Sequence, residues 1–298
     1  MKRELFILVF AVILAPLSMR ADTAAQLAAT INSFSGGGTG KLTAAVAGNT
    51  VTVTGSLTGV TSGTIPGADM NYDAIRKLAP EAMKGLTPEM IKSVTSGLTL
   101  NIDAGVTVVW KASISAGSDF TMMGSLLTLF GSGTFEIAGG KIEANDNEKL
   151  AHAIAVRYKE TTLTVSVSSG TVSATKGEAI SHEGKKSKII VSGTSHVQGS
   201  LSAISTNGNV EVSGNAVVSS MNTGNVIVAQ TVAITGTGII IGWNQWAGNK
   251  SYAQGSSDDI ILLPASATAV WDMKGTSSGI SYANGSNTGF IPLDVTVK

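Results

Sequence analysis

Leu163-Thr-Val-Ser-Val-Ser-Ser-Gly-Thr-Val-Ser-Ala174 leads to Ala179-Ile180, and Ile189-Ile-Val-Ser-Gly-Thr-Ser-His-Val-Gln198 leads to Ala203-Ile204. Apolar and polar residues alternate in both strings, which is the period of a half-buried strand. Phe135-Glu-Ile-Ala-Gly-Gly-Lys-Ile-Glu-Ala144, leading to Ala153-Ile154, is an earlier copy. Val210-Glu-Val-Ser-Gly-Asn-Ala-Val-Val-Ser219 and Val226-Ile-Val-Ala-Gln-Thr-Val-Ala-Ile-Thr235 continue the series. The Ala-Ile pairs lie 26 and then 24 residues apart. One unit of that size cannot bury its apolar side alone, whereas stacked neighbours form a continuous core. Short strands with tight corners then give a parallel β-helix, its coils about 4.8 Å apart. Val, Ile, Leu and Ala fill the bore, Ser, Thr and Asn face water, and Gly and Asn serve the corners. A β-sandwich is the competing fold, but it does not predict Ala-Ile pairs at coil-length spacing.

The rest of the chain is read outward from that repeat. Lys2 and Arg3 precede the apolar run Leu5 to Leu17, which has the form of a secretory signal. It is shorter than the roughly 20 residues of a membrane span. Residues 1–21 are therefore expected to be a signal peptide and 22–298 an exported parallel β-helix domain without a transmembrane anchor. Within it, 22–40 is read as an N-terminal cap helix, with Ala24, Leu27, Ala28, Ile31 and Phe34 on one face and Asp22 or Thr23 as its cap. Val-Thr-Ser-Gly at 60–63 recurs at 94–97 and brackets a helical insertion at 64–93, where Thr87-Pro88-Glu89 is a helix start. Residues 240–298 are read as aromatic C-terminal coils or a cap. The fold class expected is all-β: a single-stranded right-handed parallel β-helix (solenoid) with a capping helix and a short helical insertion.

Composition narrows the function. Charged residues are 13% of the 298, the formal net charge is zero and cysteine is absent, against about 25% charged residues in an ordinary domain. A neutral chain has no electrostatic footprint for nucleic acid, and no thiol chemistry or disulfide framework is open to it. The charges gather in 136–188, while Glu211 is the one charged residue from Gly199 to Asn249. His152, Glu178, His182 and Glu183 are the candidate polar constellation, with His152 and His182 beside Ala-Ile strands of neighbouring units; solvated corners of two wide loops are the plainer reading. Asn145-Asp-Asn-Glu148 offers oxygen ligands to calcium but lacks EF-hand spacing, so no cofactor and no metal site are expected. Trp243, Asn244, Gln245, Trp246 and Tyr252 form an aromatic and amide-rich stretch suited to stacking on sugar rings, or to plugging the end of the bore. Regular threonine ladders can bind ice, but the threonines are not expected to recur at one coil position.

This repeat resembles the right-handed β-helix, pectin-lyase-like superfamily of secreted bacterial proteins, over roughly residues 98–298. More narrowly it is similar to the non-catalytic carbohydrate-binding and adhesin-type members found on bacterial surfaces. Ala267-Thr-Ala-Val-Trp-Asp272 and Gly279-Ile-Ser-Tyr-Ala-Asn-Gly-Ser-Asn-Thr-Gly-Phe290 are similar to the closing segment of such proteins. The resemblance implies an extracellular, cell-surface or periplasmic protein with a glycan or surface protein as partner. Enzymes of that superfamily usually place several aspartates and a basic residue in one groove. Here Arg157 is the only arginine after residue 76 and no aspartate cluster falls on the repeat. Adhesion or glycan binding is therefore expected ahead of a polysaccharide lyase or glycosidase, or of a purely structural surface role.

Overall fold

The computed structural model describes residues 22–61, 97–118, 124–144, 151–157, 161–184, 186, 188–244, 261–274 and 277–292. The insertion read at 64–93 and the signal read at 1–21 lie outside the described residues. Helix α1 (Ala24–Ser33) starts on a capping box: Gln26 N–H donates to Thr23 Oγ1, and Gln26 Oε1 accepts from Thr23 N–H. Its buried face is Ala24, Leu27, Ala28 and Ile31. That face packs on an antiparallel hairpin, β1 (Thr39–Ala47) and β2 (Thr50–Val60).

From β2 onward the chain winds as a parallel solenoid. The next coil holds β3 (Leu98–Ile102), β4 (Thr107–Trp110) and β5 (Ser113–Ala116). Then come β6 (Ser125–Gly131) with the long β7 (Thr134–Ala144), and β8 (His152–Val156) with the long β9 (Thr164–Ala174). The next two coils are β10 (Glu178–His182), β11 (Lys188–Val191) and β12 (His196–Gly199), and β13 (Ser202–Thr206), β14 (Asn209–Val212) and β15 (Val217–Asn225). β16 (Ile227–Val228), β17 (Thr231–Ile234) and β18 (Ile239–Asn244) complete the winding. From β3 to β16 the chain makes about five turns.

Three parallel walls result. Wall A stacks β3, β6, β8, β10, β13 and β16. Wall B stacks the first half of β2, β4, the first halves of β7 and β9, then β11, β14 and β17; wall C stacks the second halves with β5, β12, β15 and β18. The Ala-Ile pairs fall in one register on wall A, Ile154 beside Ile180 and Ile180 beside Ile204. Alternation places Val51, Val108, Phe135, Val165, Ile189 and Val210 in one fully or almost fully buried column of wall B. Leu57, Ile114, Ile142, Val172, Val197 and Val218 make the matching column of wall C. Between these walls the later coils turn on Gly193, Gly214 and Gly236, all with φ between +62° and +65°. A Cβ on Gly193 would sit 2.0 Å from the carbonyl oxygen of Ser168 one coil back, so the corner needs glycine for both conformation and closeness.

The described strands after β18 are antiparallel. β19 (Ile261–Leu263) runs antiparallel to β18. β20 (Thr268–Lys274), β21 (Ser277–Asn284) and β22 (Asn287–Pro292) form a separate antiparallel sheet. Ile280 and Ile291 of that sheet pack on Val217, Ile239 and Ile241, so it roofs the outside of wall C over its last two strands. Asn284 and Asn287 pin the roof: their side-chain amides donate to Gly238 O at 3.2 Å and Thr237 O at 2.8 Å.

Candidate functional site

The charged residues singled out on wall A do not converge. His152 opens β8 and Glu178 opens β10, one strand over at the same register. Arg157 and Glu183 follow the other ends of those strands, about 15 Å away at the usual strand rise. His182 does not stack on His152; its register partner is Val156. The residues thus divide into two pairs, His152 with Glu178 and Arg157 with Glu183, and a separate histidine, and the two pairs do not meet.

Each member is also engaged. His152 Nδ1 accepts the Glu178 backbone N–H at 3.2 Å, and the Glu178 carboxylate lies 3.7 Å from it. Burial lowers the His152 pKa more than Glu178 raises it, so the ring is neutral at pH 7. His182 is 2% exposed. Its Nδ1 accepts the Gly184 N–H at 3.1 Å, and Nε2 donates to Leu163 O at 3.2 Å. Burial pushes its pKa down to about 4, and with both nitrogens bonded to backbone it fastens a corner. Arg157 Nη1 pairs with Glu183 Oε1 at 2.8 Å on the surface. No group of three or more histidines and carboxylates that could hold a metal occurs among the described residues; Asn145 to Glu148 lie outside them.

Trp243 and Asn244 end β18, but their side chains, and the whole of Gln245, Trp246 and Tyr252, lie outside what the structure describes. Among the described residues no helix is long and apolar enough to cross a membrane.

Two features escape the sequence reading. The first is a correction. Threonines do recur at one coil position: Thr50, Thr107, Thr134 and Thr164 are register partners in succession along wall B. Lys188, Asn209 and Thr231 continue the column. The neighbouring outer column holds Thr52, Val109, Glu136, Ser166, Ile190 and Glu211. The ladder therefore covers four coils and lies beside a mixed column. The coils between these threonines differ in length, which hid the register from a fixed-period reading.

The second is a groove where the roof ends. Along the outside of wall C one column reads Ser56, Ser113, Lys141, Thr171, His196, Val217 and Ile239. The roof packs on Val217 and Ile239 and stops short of His196. The step encloses about 320 Å³, lined among others by Thr194, His196, Asn215, Tyr282, Asn287 and Thr288. None of the described lining residues carries a fixed charge. His196 Nε2 lies 3.3 Å from Ser219 Oγ, and burial lowers its pKa. Tyr282 lies across Gly289, where a Cβ would come within 2.3 Å of the phenol oxygen. The signal available in the sequence was the hairpin turn Asn284-Gly285-Ser286-Asn287 between two β-rich strings, which marks an antiparallel return rather than another coil. Comparison of the chain with protein-family models, with curated proteins and with solved structures finds no match.

Proposed function

We propose that the protein is an exported, pectin-lyase-like solenoid of the bacterial surface that binds glycan without transforming it. The observation that supports this reading is the registered column Thr50–Thr107–Thr134–Thr164. It sets hydroxyls about 4.8 Å apart along the solenoid axis, with Glu136 beside it in the neighbouring column. An extended polysaccharide laid along that axis meets the same donor and acceptor at each coil. Each contact is worth only about 0.5–1.5 kcal/mol net, so affinity comes from repetition along one chain. The engagement of His152, His182, Arg157 and Glu183 with neighbouring groups supports binding over catalysis.

The test is retention on insoluble polysaccharides and on a glycan array, comparing the native protein with the double variant Thr107→Lys, Thr134→Lys. Two lysines in the column crowd the flat wall at partly exposed positions. Retention by the native protein, weakened at least tenfold in the variant, is the expected result. Failure to bind any polysaccharide sinks the reading, and product release from any of them replaces it with an enzymatic one.

A further inference from the structure

We infer that the groove at the margin of the C-terminal sheet is a binding site for one uncharged sugar residue of a glycan. The inference rests on the glycan-binding reading above and assigns it a second location with its own specificity. Three observations meet there.

The first is size and charge. About 320 Å³ is at the small end of small-molecule sites, which run from about 300 to 1,000 Å³. That suits a single ring with its substituents. Recognition of a uronate or sialate carboxylate calls for Arg or Lys, and neither is among the described residues that line the step. Burial lowers the pKa of the half-buried His196 and so disfavours its charged form.

The second is a pair of amides, one of them fixed. Asn287 is 6% exposed, and its Nδ2 is committed to Thr237 O at 2.8 Å and Ala216 O at 3.4 Å. That leaves its Oδ1 as an acceptor. The Asn215 amide lies beside it, in contact with the hydroxyls of Thr237 and Ser286, while Thr237 Oγ1 also meets Gly214 O at 2.7 Å. The free Asn287 acceptor beside a second amide suits a sugar hydroxyl, which gives one bond and takes another. Burying such groups is costly unless a partner arrives.

The third is a flat ring. Tyr282 is half-buried, with a phenol held over the glycine of the neighbouring strand. Because Gly289 has no side chain, the ring lies along the sheet, and an aromatic face of this kind offers apolar contact to a sugar's C–H face.

Calorimetric titration of the full protein with neutral oligosaccharides (gluco-, manno-, xylo- and chito-series) and with oligogalacturonate tests the site. The variants are Tyr282→Ala, and Thr194→Glu with Thr288→Glu, which place two charges at exposed rim positions without disturbing the core. The wall variant Thr107→Lys, Thr134→Lys runs in parallel, and thermal denaturation confirms that each is folded. The expected result is binding of a neutral series that falls at least tenfold in both groove variants and persists for short oligosaccharides in the wall variant. A neutral glycan bound equally by the groove variants overturns the site and leaves the glycan reading standing. A preference for oligogalacturonate overturns the assigned specificity. Binding of no glycan removes both.

Discussion

Asn32 holds Ala44 by both of its backbone groups: Asn32 Nδ2 donates to Ala44 O at 3.1 Å, and Ala44 N–H donates to Asn32 Oδ1 at 2.8 Å. A helix side chain thereby does what another strand would do at the open edge of β1. An unpaired edge invites pairing with a second chain, and this amide closes the middle of it. Asn32→Ala is expected to cost about 1–2 kcal/mol, since two partly exposed hydrogen bonds are lost. It should also raise the exchange rate of the Ala44 amide and increase self-association. Denaturant titration, amide exchange and light scattering check the three effects; unchanged exchange at Ala44 refutes the argument.

His182 makes stability depend on pH in a defined window. Its folded pKa of about 4 lies below the usual 6.5. As pH falls from 6.5, the unfolded chain takes up a proton that the folded chain refuses until about pH 4. Stability is therefore complete above pH 6.5, declines across the window, and levels off below it. The drop corresponds to roughly 3 kcal/mol for this one group. Burial lowers the pKa of His152 and His196 as well, so all three act in the same direction. Denaturation at pH 7.5, 5.5 and 4 should show a shallower slope for His182→Asn than for the native protein, and equal slopes would refute the assignment.

Gly48 and Gly193 separate strain from crowding. Their φ values are 60° and 62°, yet a Cβ on Gly48 meets nothing within 4 Å, whereas one on Gly193 meets Ser168 O at 2.0 Å. Gly48→Ala carries the left-handed penalty alone, about 1 kcal/mol. Gly193→Ala adds displacement of a neighbouring coil's backbone, for a total of about 3 kcal/mol. Equal losses in midpoint denaturation would mean that coil spacing adjusts freely.

Trp110 packs against Phe135 with ring centroids 5.8 Å apart and planes tilted by 43°, fully buried, and its Nε1–H has no partner among the described residues. Trp110→Ala should cost about 3–5 kcal/mol through the cavity it leaves. Trp110→Phe gives up volume but also removes an unsatisfied donor worth about 1–3 kcal/mol. Its net effect should lie within about 1.5 kcal/mol of zero, and chemical denaturation of both variants distinguishes them.

The winding was legible because two constraints agree in the sequence. Alternation fixes which residues face the bore, and the Ala153-Ile154, Ala179-Ile180 and Ala203-Ile204 spacing fixes the register of wall A. The binding surfaces were not legible for related reasons. The threonine column joins coils of unequal length, so no fixed period connects Thr50 to Thr164. The groove brings Asn215 beside Asn287, far apart in sequence, and their meeting depends on where the returning sheet docks. Wall A shows the converse error: His152 and His182 sit on neighbouring strands, but at opposite ends, because proximity within a coil also depends on position along the strand.

The outer column from Ser56 to Ile239 has one more consequence. Through Thr171 its members are small or charged and suit a wall open to water; at Val217 and Ile239 they become aliphatic. Among the described residues this change of exterior coincides with the passage from parallel coils to the antiparallel sheet that covers them. Duplicating an early coil would lengthen the rod and keep a wettable flank. Duplicating the coil that carries Val217 would add aliphatic flank beyond the reach of a single terminal sheet. The same exterior therefore also decides which of its segments evolution, or an engineer, is free to copy.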